Sequence, residues 1–163
     1  MTLKQRAKRI KVLLCDVDGV LTDGSVFVCD KFEGKYFSVV DGLGISLLRS
    51  SGIKVGWISG RKSTATQKRA KELKIDFLYQ GIEEKTKIAD CALRHFNSSW
   101  ENTCYIGDDI LDLGPLNRAG LAIAVNNAMP IVKKSAHYIT KMTGGKGAVR
   151  EIVDLILTAQ RIM

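Results

Sequence analysis

An alternation of two kinds of segment constrains this chain more than any other feature. Short apolar runs at Lys11–Cys15, Val55–Ser59, Phe77–Tyr79, Thr103–Ile106 and Leu121–Val125 alternate with amphipathic stretches. The latter cover Leu43–Arg49, Ser63–Leu73, Lys85–Phe96 and Ile110–Arg118, with apolar residues near helical spacing. Continuously apolar strands cannot leave a face in water, and an intervening helix makes successive strands parallel. The expected fold is therefore α/β: a Rossmann-like three-layer sandwich with a central parallel sheet. A last helix, Ala148–Arg161, carries Val149, Ile152, Val153 and Ile156 as its core stripe. Leu155, Ala159 and Ile162 form a second stripe, open to another subunit.

One segment departs from the alternation. Ser25–Cys29 and Lys35–Val39 are strand-like and flank Asp30–Gly34, which predicts a β-hairpin flap over about residues 25–39. It follows the first strand, where a plain βαβ unit would carry a helix. The chain shows no repeat and no boundary, so a single domain over residues 1–163 is expected.

Composition enters mainly as exclusion. No apolar run approaches the roughly 20 residues of a membrane helix. Val12–Cys15, after a basic N-terminus, is too short for the h-region of a secretory signal, which needs about 7–15 residues. The 4 cysteines form no C-x-x-C pair and the 2 histidines stand alone, which argues against a disulfide framework and against zinc. A cytoplasmic protein with reduced thiols and no membrane contact is expected. The net charge of +8 asks for an acidic partner. Aromatics are only 7% and are not interleaved with the basic residues, so no nucleic-acid stacking platform is evident. Lys68, Lys71 and Lys74 suit a solvated helix face.

In open parallel sheets ligands bind beyond the carboxyl ends of the strands, and four of those ends carry polar clusters. Asp16-Val-Asp18-Gly19 places two carboxylates at i, i+2 after an apolar strand, which suits a divalent cation and a nucleophile but also a plain Asp-Gly turn. Ser59-Gly60-Arg61 offers a hydroxyl, backbone N–H groups and a guanidinium to an anion. Lys85 opens a helix, where its charge opposes the helix dipole. Gly107-Asp108-Asp109-Ile-Leu-Asp112 brings adjacent carboxylates together, which repel unless a cation or solvent intervenes.

Taken in order, Asp16-x-Asp18, Ser59, Lys85 and Gly107-Asp108-Asp109 resemble the four motifs of the haloacid dehalogenase-like phosphohydrolases. Asp16–Gly24, Val40–Gly44, Tyr79–Gly81 and Gly144–Glu151 narrow the resemblance to the 3-deoxy-D-manno-octulosonate 8-phosphate phosphatase family. The resemblance implies an Mg²⁺-dependent phosphatase acting on a sugar-acid phosphate. Asp16 would be the nucleophile and Asp18 the general acid and base, with Ser59 and Lys85 holding the phosphoryl oxygens. The metal would sit on the Asp16 carboxylate, the Asp18 backbone carbonyl and Asp108, with Asp109 orienting its waters or Lys85. Gly60, Arg61 and Arg69 would line the substrate side, and Lys146 and Arg150 could add a positive edge. Most members of the superfamily insert a cap domain. Here the intervals from Asp18 to Ser59 and from Ser59 to Lys85 leave no room for one. The resemblance instead implies a homotetramer built through the flap, with Phe27, Phe32, Tyr36 and Phe37 in the interface. Two departures stand out: Val40 replaces a frequent arginine, and the chain stops soon after its last helix. A nine-carbon 9-phosphate as substrate and a non-catalytic assembly module are the competing expectations.

Overall fold

The computed structural model describes residues 1–163. Six parallel strands form the central sheet: β1 (Val12–Cys15), β4 (Lys54–Ser59), β5 (Phe77–Gln80), β6 (Thr103–Gly107), β7 (Leu121–Ala124) and β8 (Tyr138–Ile139). Their spatial order is β5-β4-β1-β6-β7-β8. The chain thus builds outward from β1 in one direction through β4 and β5. It then returns to the other side of β1 for β6, β7 and β8. That reversal opens a crevice at the carboxyl ends of β1 and its two neighbours, where an open α/β sheet binds ligands. Leu13 pairs in register with Val55 on one side and Cys104 on the other, so β1 is buried on both faces and both edges.

Helices cover the two faces. On one, α2 (Val39–Ser50) packs on α7 (Ala148–Ala159), and α7 on α1 (Leu3–Lys8). On the other, α4 (Lys85–His95) meets α5 (Leu113–Arg118), which meets α6 (Pro130–Ser135). A further helix, α3 (Thr64–Glu72), joins β4 to β5. The α7 stripe of Val149, Ile152, Val153 and Ile156 is fully buried, and truncating one such side chain to alanine costs about 2–5 kcal/mol. Of the second stripe, Ala159 is buried and Leu155 half-buried, because α1 of the same chain lies over α7, while Ile162 stays about half exposed beyond the helix. The sequence pattern had not suggested α1, α6 or β8. The first is short and begins at a capping box between Thr2 and Gln5.

The hairpin is real but tighter than its sequence suggests. β2 (Phe27–Cys29) pairs antiparallel with β3 (Phe32–Gly34), Cys29 opposite Phe32. Only Asp30 and Lys31 turn the chain, so Lys35–Val39 forms the descending connection and the start of α2 rather than a strand. Within it, Phe37 stacks on the buried Trp57, ring centroids 6.2 Å apart. Phe37 therefore belongs to the core, not to an exposed flap face, and Ser38 caps α2 by accepting from Asp41 N.

Two sequence signatures prove to be supports for the crevice. Asp41, at the start of α2, is buried and accepts from Gly147 N at 3.2 Å and Arg150 N at 2.8 Å, capping α7 from outside. The Gly144–Glu151 run packs beneath the loop after β1. A Cβ on Gly144 would stand 1.7 Å from the Gly19 carbonyl oxygen, so no other residue lets the two loops meet. Glu151 accepts from the Tyr138 hydroxyl and from the N–H groups of Lys141 and Met142. Arg150 is paired with Asp154 at 2.7 Å on the helix surface and so adds no positive edge to the crevice.

Candidate active site

β1 ends at Cys15, which delivers Asp16 to the floor of the crevice, 7% exposed. Its Oδ1 accepts from Val17 N at 2.6 Å, and its Oδ2 lies 2.6 Å from Lys85 Nζ. Lys85 enters from the first turn of α4 and is itself only 2% exposed. The unfavourable dipole position is offset by two carboxylates, for Asp112 Oδ1 lies 2.8 Å from the same nitrogen. Burial alone would lower the ammonium pKa, but Asp112 and then Asp16 outweigh it and hold Lys85 above its usual range.

Asp112 is the residue that sequence reasoning placed in a motif without assigning it a task. It is fully buried and also accepts from the Tyr105 hydroxyl at 2.8 Å and from the N–H groups of Asp108 and Asp109 at 3.0 and 3.2 Å. One carboxylate therefore fixes the ammonium and shapes the loop that follows β6. Of the two tasks the resemblance offers Asp109, holding Lys85 falls to Asp112. Asp109 is exposed, and its carboxylate accepts from Ile110 N in a short helical turn. The signal was available: Asp112 stands three residues beyond Asp109, the spacing of a capping interaction.

Asp16, Asp108 and Asp112 present carboxylate oxygens within 4.8 Å of one another. Gly19, with φ +84°, makes this possible, since a Cβ there would fall 2.1 Å from Asp108 Oδ2. Burial first, then the charges of Asp16 and Asp112, push the Asp108 carboxyl up to about 8. Burial and Asp112 raise Asp16 to about 6, against the pull of Lys85. Oδ1 of Asp108 is buried without a hydrogen-bond partner. An orphaned carboxylate oxygen beside a second acid that resists ionisation is the donor set of a divalent cation. The residues present fit such an ion.

Asp16, Asp18, Gly60, Arg61, Lys85 and Asp108 are among the residues lining a cleft of about 310 Å³. Ser59 is fully buried at the end of β4. Its hydroxyl accepts from Arg61 N at 3.2 Å and donates to Arg61 O at 3.0 Å, so Gly60 and Arg61 form the visible wall above it. Arg61 is half exposed on the rim, paired with Glu33 of the hairpin. Arg69 is not beside it. Its guanidinium donates to Ser38 O and pairs with Glu72, packed over Gly42 at the start of α2. Lys35, which the sequence did not single out, closes the other side: its Nζ is 2.7 Å from Asp18 Oδ1. A larger cavity of about 490 Å³ between α1 and α7 is remote from this chemistry, and the Glu151 carboxylate on its wall is satisfied by Tyr138, Lys141 and Met142.

A parallel sheet with carboxylates after β1 and β6, a hydroxyl after β4 and a lysine opening α4 defines the haloacid dehalogenase-like class of hydrolases, and the haloacid dehalogenase-like hydrolase family model matches residues 79–152. Over 157 residues, 96% of this chain and 84% of the relative, the sequence is 43% identical to a 3-deoxy-D-manno-octulosonate 8-phosphate phosphatase of Yersinia pestis. It is 40% identical to that of Escherichia coli K12 over 95% of this chain and 83% of the relative. The phosphatase of the same name from Moraxella catarrhalis, solved with magnesium ion, phosphate ion and a KDO molecule, superposes with a TM-score of 0.95. That pair is 41% identical, covering 98% of this chain and 92% of the other. This chain belongs to the 3-deoxy-D-manno-octulosonate 8-phosphate phosphatase family.

Proposed function

We propose that the protein hydrolyses 3-deoxy-D-manno-octulosonate 8-phosphate to the free sugar acid and phosphate, with Mg²⁺ as its ion. The observation that carries this reading is the cleft itself. A carboxylate 2.6 Å from a buried ammonium lies at its floor and a half-exposed guanidinium on its rim, matching an ester with a phosphate at one end and a carboxylate at the other.

In this reading Asp16 attacks phosphorus in line, the ester P–O bond breaks, and an aspartyl-phosphate forms. Asp18 gives its proton to the departing sugar oxygen. It then takes one from the water that attacks the phosphoenzyme, so Asp16 is regenerated and phosphate leaves. Lys85, held by Asp112, balances the charge on the phosphoryl oxygens, and the Ser59-Gly60 turn supplies hydrogen bonds to them. The Asp16 and Asp108 carboxylates and the Asp18 backbone carbonyl would hold Mg²⁺, which offsets the charge of the phosphoryl group when bound. Arg61 receives the substrate carboxylate. Arg69 serves it indirectly, by fixing the turn into α2.

The reading extends to assembly: residues 1–163 act as one domain in a homotetramer formed through the hairpin. Support comes from Phe27, Val28, Phe32 and Tyr36 on the hairpin side and Val39, Val40 and Leu43 along α2, all more than half exposed. A run of apolar side chains of this kind on a small protein marks an interface. Four free cysteines accord with a cytoplasmic setting, and no helix is long and apolar enough to cross a membrane.

The test is kcat/KM for the eight-carbon ester and for a nine-carbon sugar-acid 9-phosphate, with Mg²⁺, in the natural protein and in Arg61→Glu. The eight-carbon ester should be preferred, and charge reversal should lower its kcat/KM at least about tenfold. Preference for the nine-carbon ester, or indifference to the charge at position 61, would overturn the assignment.

A further inference from the structure

Two ion pairs fasten the hairpin to the cleft, and they differ in kind. Lys35 meets Asp18 at 2.7 Å with its side chain wholly withdrawn from water, and Thr66 Oγ1 lies 3.4 Å from the same nitrogen. Glu33 meets Arg61 through a single oxygen and a single nitrogen, 2.5 Å apart. The other oxygen, Oε1, is buried and has no hydrogen-bond partner. Half of the Arg61 side chain remains in solvent.

A buried acceptor without a donor costs free energy, because its water has been lost and not replaced. A one-pronged contact also forgoes the two parallel hydrogen bonds that a guanidinium offers a carboxylate. Glu33 therefore occupies Arg61 without satisfying either partner. A free carboxylate arriving in the cleft can engage both guanidinium nitrogens and release the stranded oxygen to water. Because Phe37 stacked on Trp57 and Lys35 beside Thr66 hold the base of the hairpin separately, Glu33 can let go without the hairpin leaving the cleft.

We propose that Glu33 is a specificity-determining residue, standing on Arg61 in place of the substrate carboxylate until a sugar acid displaces it. This rests on the reading above that Arg61 receives that carboxylate. An ester with no carboxylate cannot make the exchange, so it gains nothing from Arg61. Arg61 thus favours sugar acids over other phosphate monoesters of similar size, and Glu33, by competing for it, sets how large that preference is. Arg61, with the Ser63 hydroxyl and Lys35 nearby, also holds the Glu33 carboxyl below its ordinary range.

The experiment compares KM and kcat for 3-deoxy-D-manno-octulosonate 8-phosphate and for an aldose phosphate without a carboxylate, using the Mg²⁺-loaded protein. The variants are Glu33→Gln, Arg61→Gln and both together. Glu33→Gln should lower KM for the sugar-acid ester about two- to fivefold, the span expected for loss of an exposed competing pair. The aldose phosphate and both kcat values should not move, and in the Arg61→Gln background the effect of Glu33→Gln should vanish. Equal shifts for the two esters, or a higher KM for the sugar acid in Glu33→Gln, would overturn the role of Glu33. If Arg61→Gln still raises the sugar-acid KM, that failure leaves the Arg61 reading standing. An unchanged sugar-acid KM in Arg61→Gln overturns both.

Discussion

At the floor of the cleft, Asp16, Lys85, Tyr105 and Asp112 are buried and joined by contacts of 2.6–2.8 Å. Above it, the hairpin leaves Phe27, Val28 and Phe32 more than half exposed and touches the cleft through Glu33 and Lys35. The floor is held by strand ends and helix starts whose positions the sheet dictates. The hairpin pairs only with itself, in a sheet of two strands, and two-stranded units are marginal alone. The contrast separates tasks: charge placement for the chemical step is preorganised in the sheet, while recognition and enclosure rest with an element that needs other contacts to be stable.

The largest effect should come from striking the floor. Asp16→Asn keeps shape and burial but removes the attacking oxygen, so phosphate release should fall at least about 10³-fold with the circular dichroism spectrum unchanged. Turnover at a tenth of the natural rate would remove Asp16 from the nucleophile's role.

Next in size is Asp112→Asn, which leaves Lys85 with Asp16 as its one carboxylate partner. The ammonium would be drawn wholly to Asp16, blunting it and misplacing the charge meant for the phosphoryl group. We expect kcat to drop about 10²-fold with KM little changed. A selective rise in KM would mean that Asp112 serves substrate binding instead.

The hairpin should answer differently. Phe27→Ser with Phe32→Ser removes two exposed rings that pack tilted against each other, centroids 5.8 Å apart. Light scattering should show the assembly falling to smaller species, while kcat on a small phosphate ester changes by no more than about threefold. Loss of kcat equal to that of the Asp112 variant would erase the division between the two regions.

The smallest effect sharpens the electrostatics of the floor. Asp16 and Asp108 are raised from 3.8 to about 6 and about 8. The folded, cation-free protein therefore keeps protons that the unfolded chain has released. Their contribution to stability is full below about pH 4 and is lost as pH rises through 6 and then 8. The melting temperature without metal should fall by several degrees from about pH 5 to about pH 9, and the gain from saturating Mg²⁺ should grow over the same range. A metal-induced gain independent of pH would contradict this account of the cluster.

Residues along the chain by themselves determined the layered fold and most of the floor. Periodicity marks buried strands, and in a parallel sheet the residue after a strand must lie at one edge, so Asp16, Ser59 and Asp108 were legible as neighbours although distant in sequence. The partner of Lys85 was not, because Asp109 and Asp112 are equivalent in composition. Only the short helical turn at Ile110–Asp112 decides which carboxylate is buried. Arg61 and Arg69 looked alike for the same reason, both cations on one expected face. In the fold Arg69 reaches over Gly42 to the Ser38 carbonyl, while Arg61 stays on the rim. Lys35 and Glu33 were invisible as site residues, since a hairpin's register and its lean over the sheet are long-range matters. Local pattern sets which face a side chain takes; which groups meet across the cleft is set by how separate layers dock, and that only the folded chain decides.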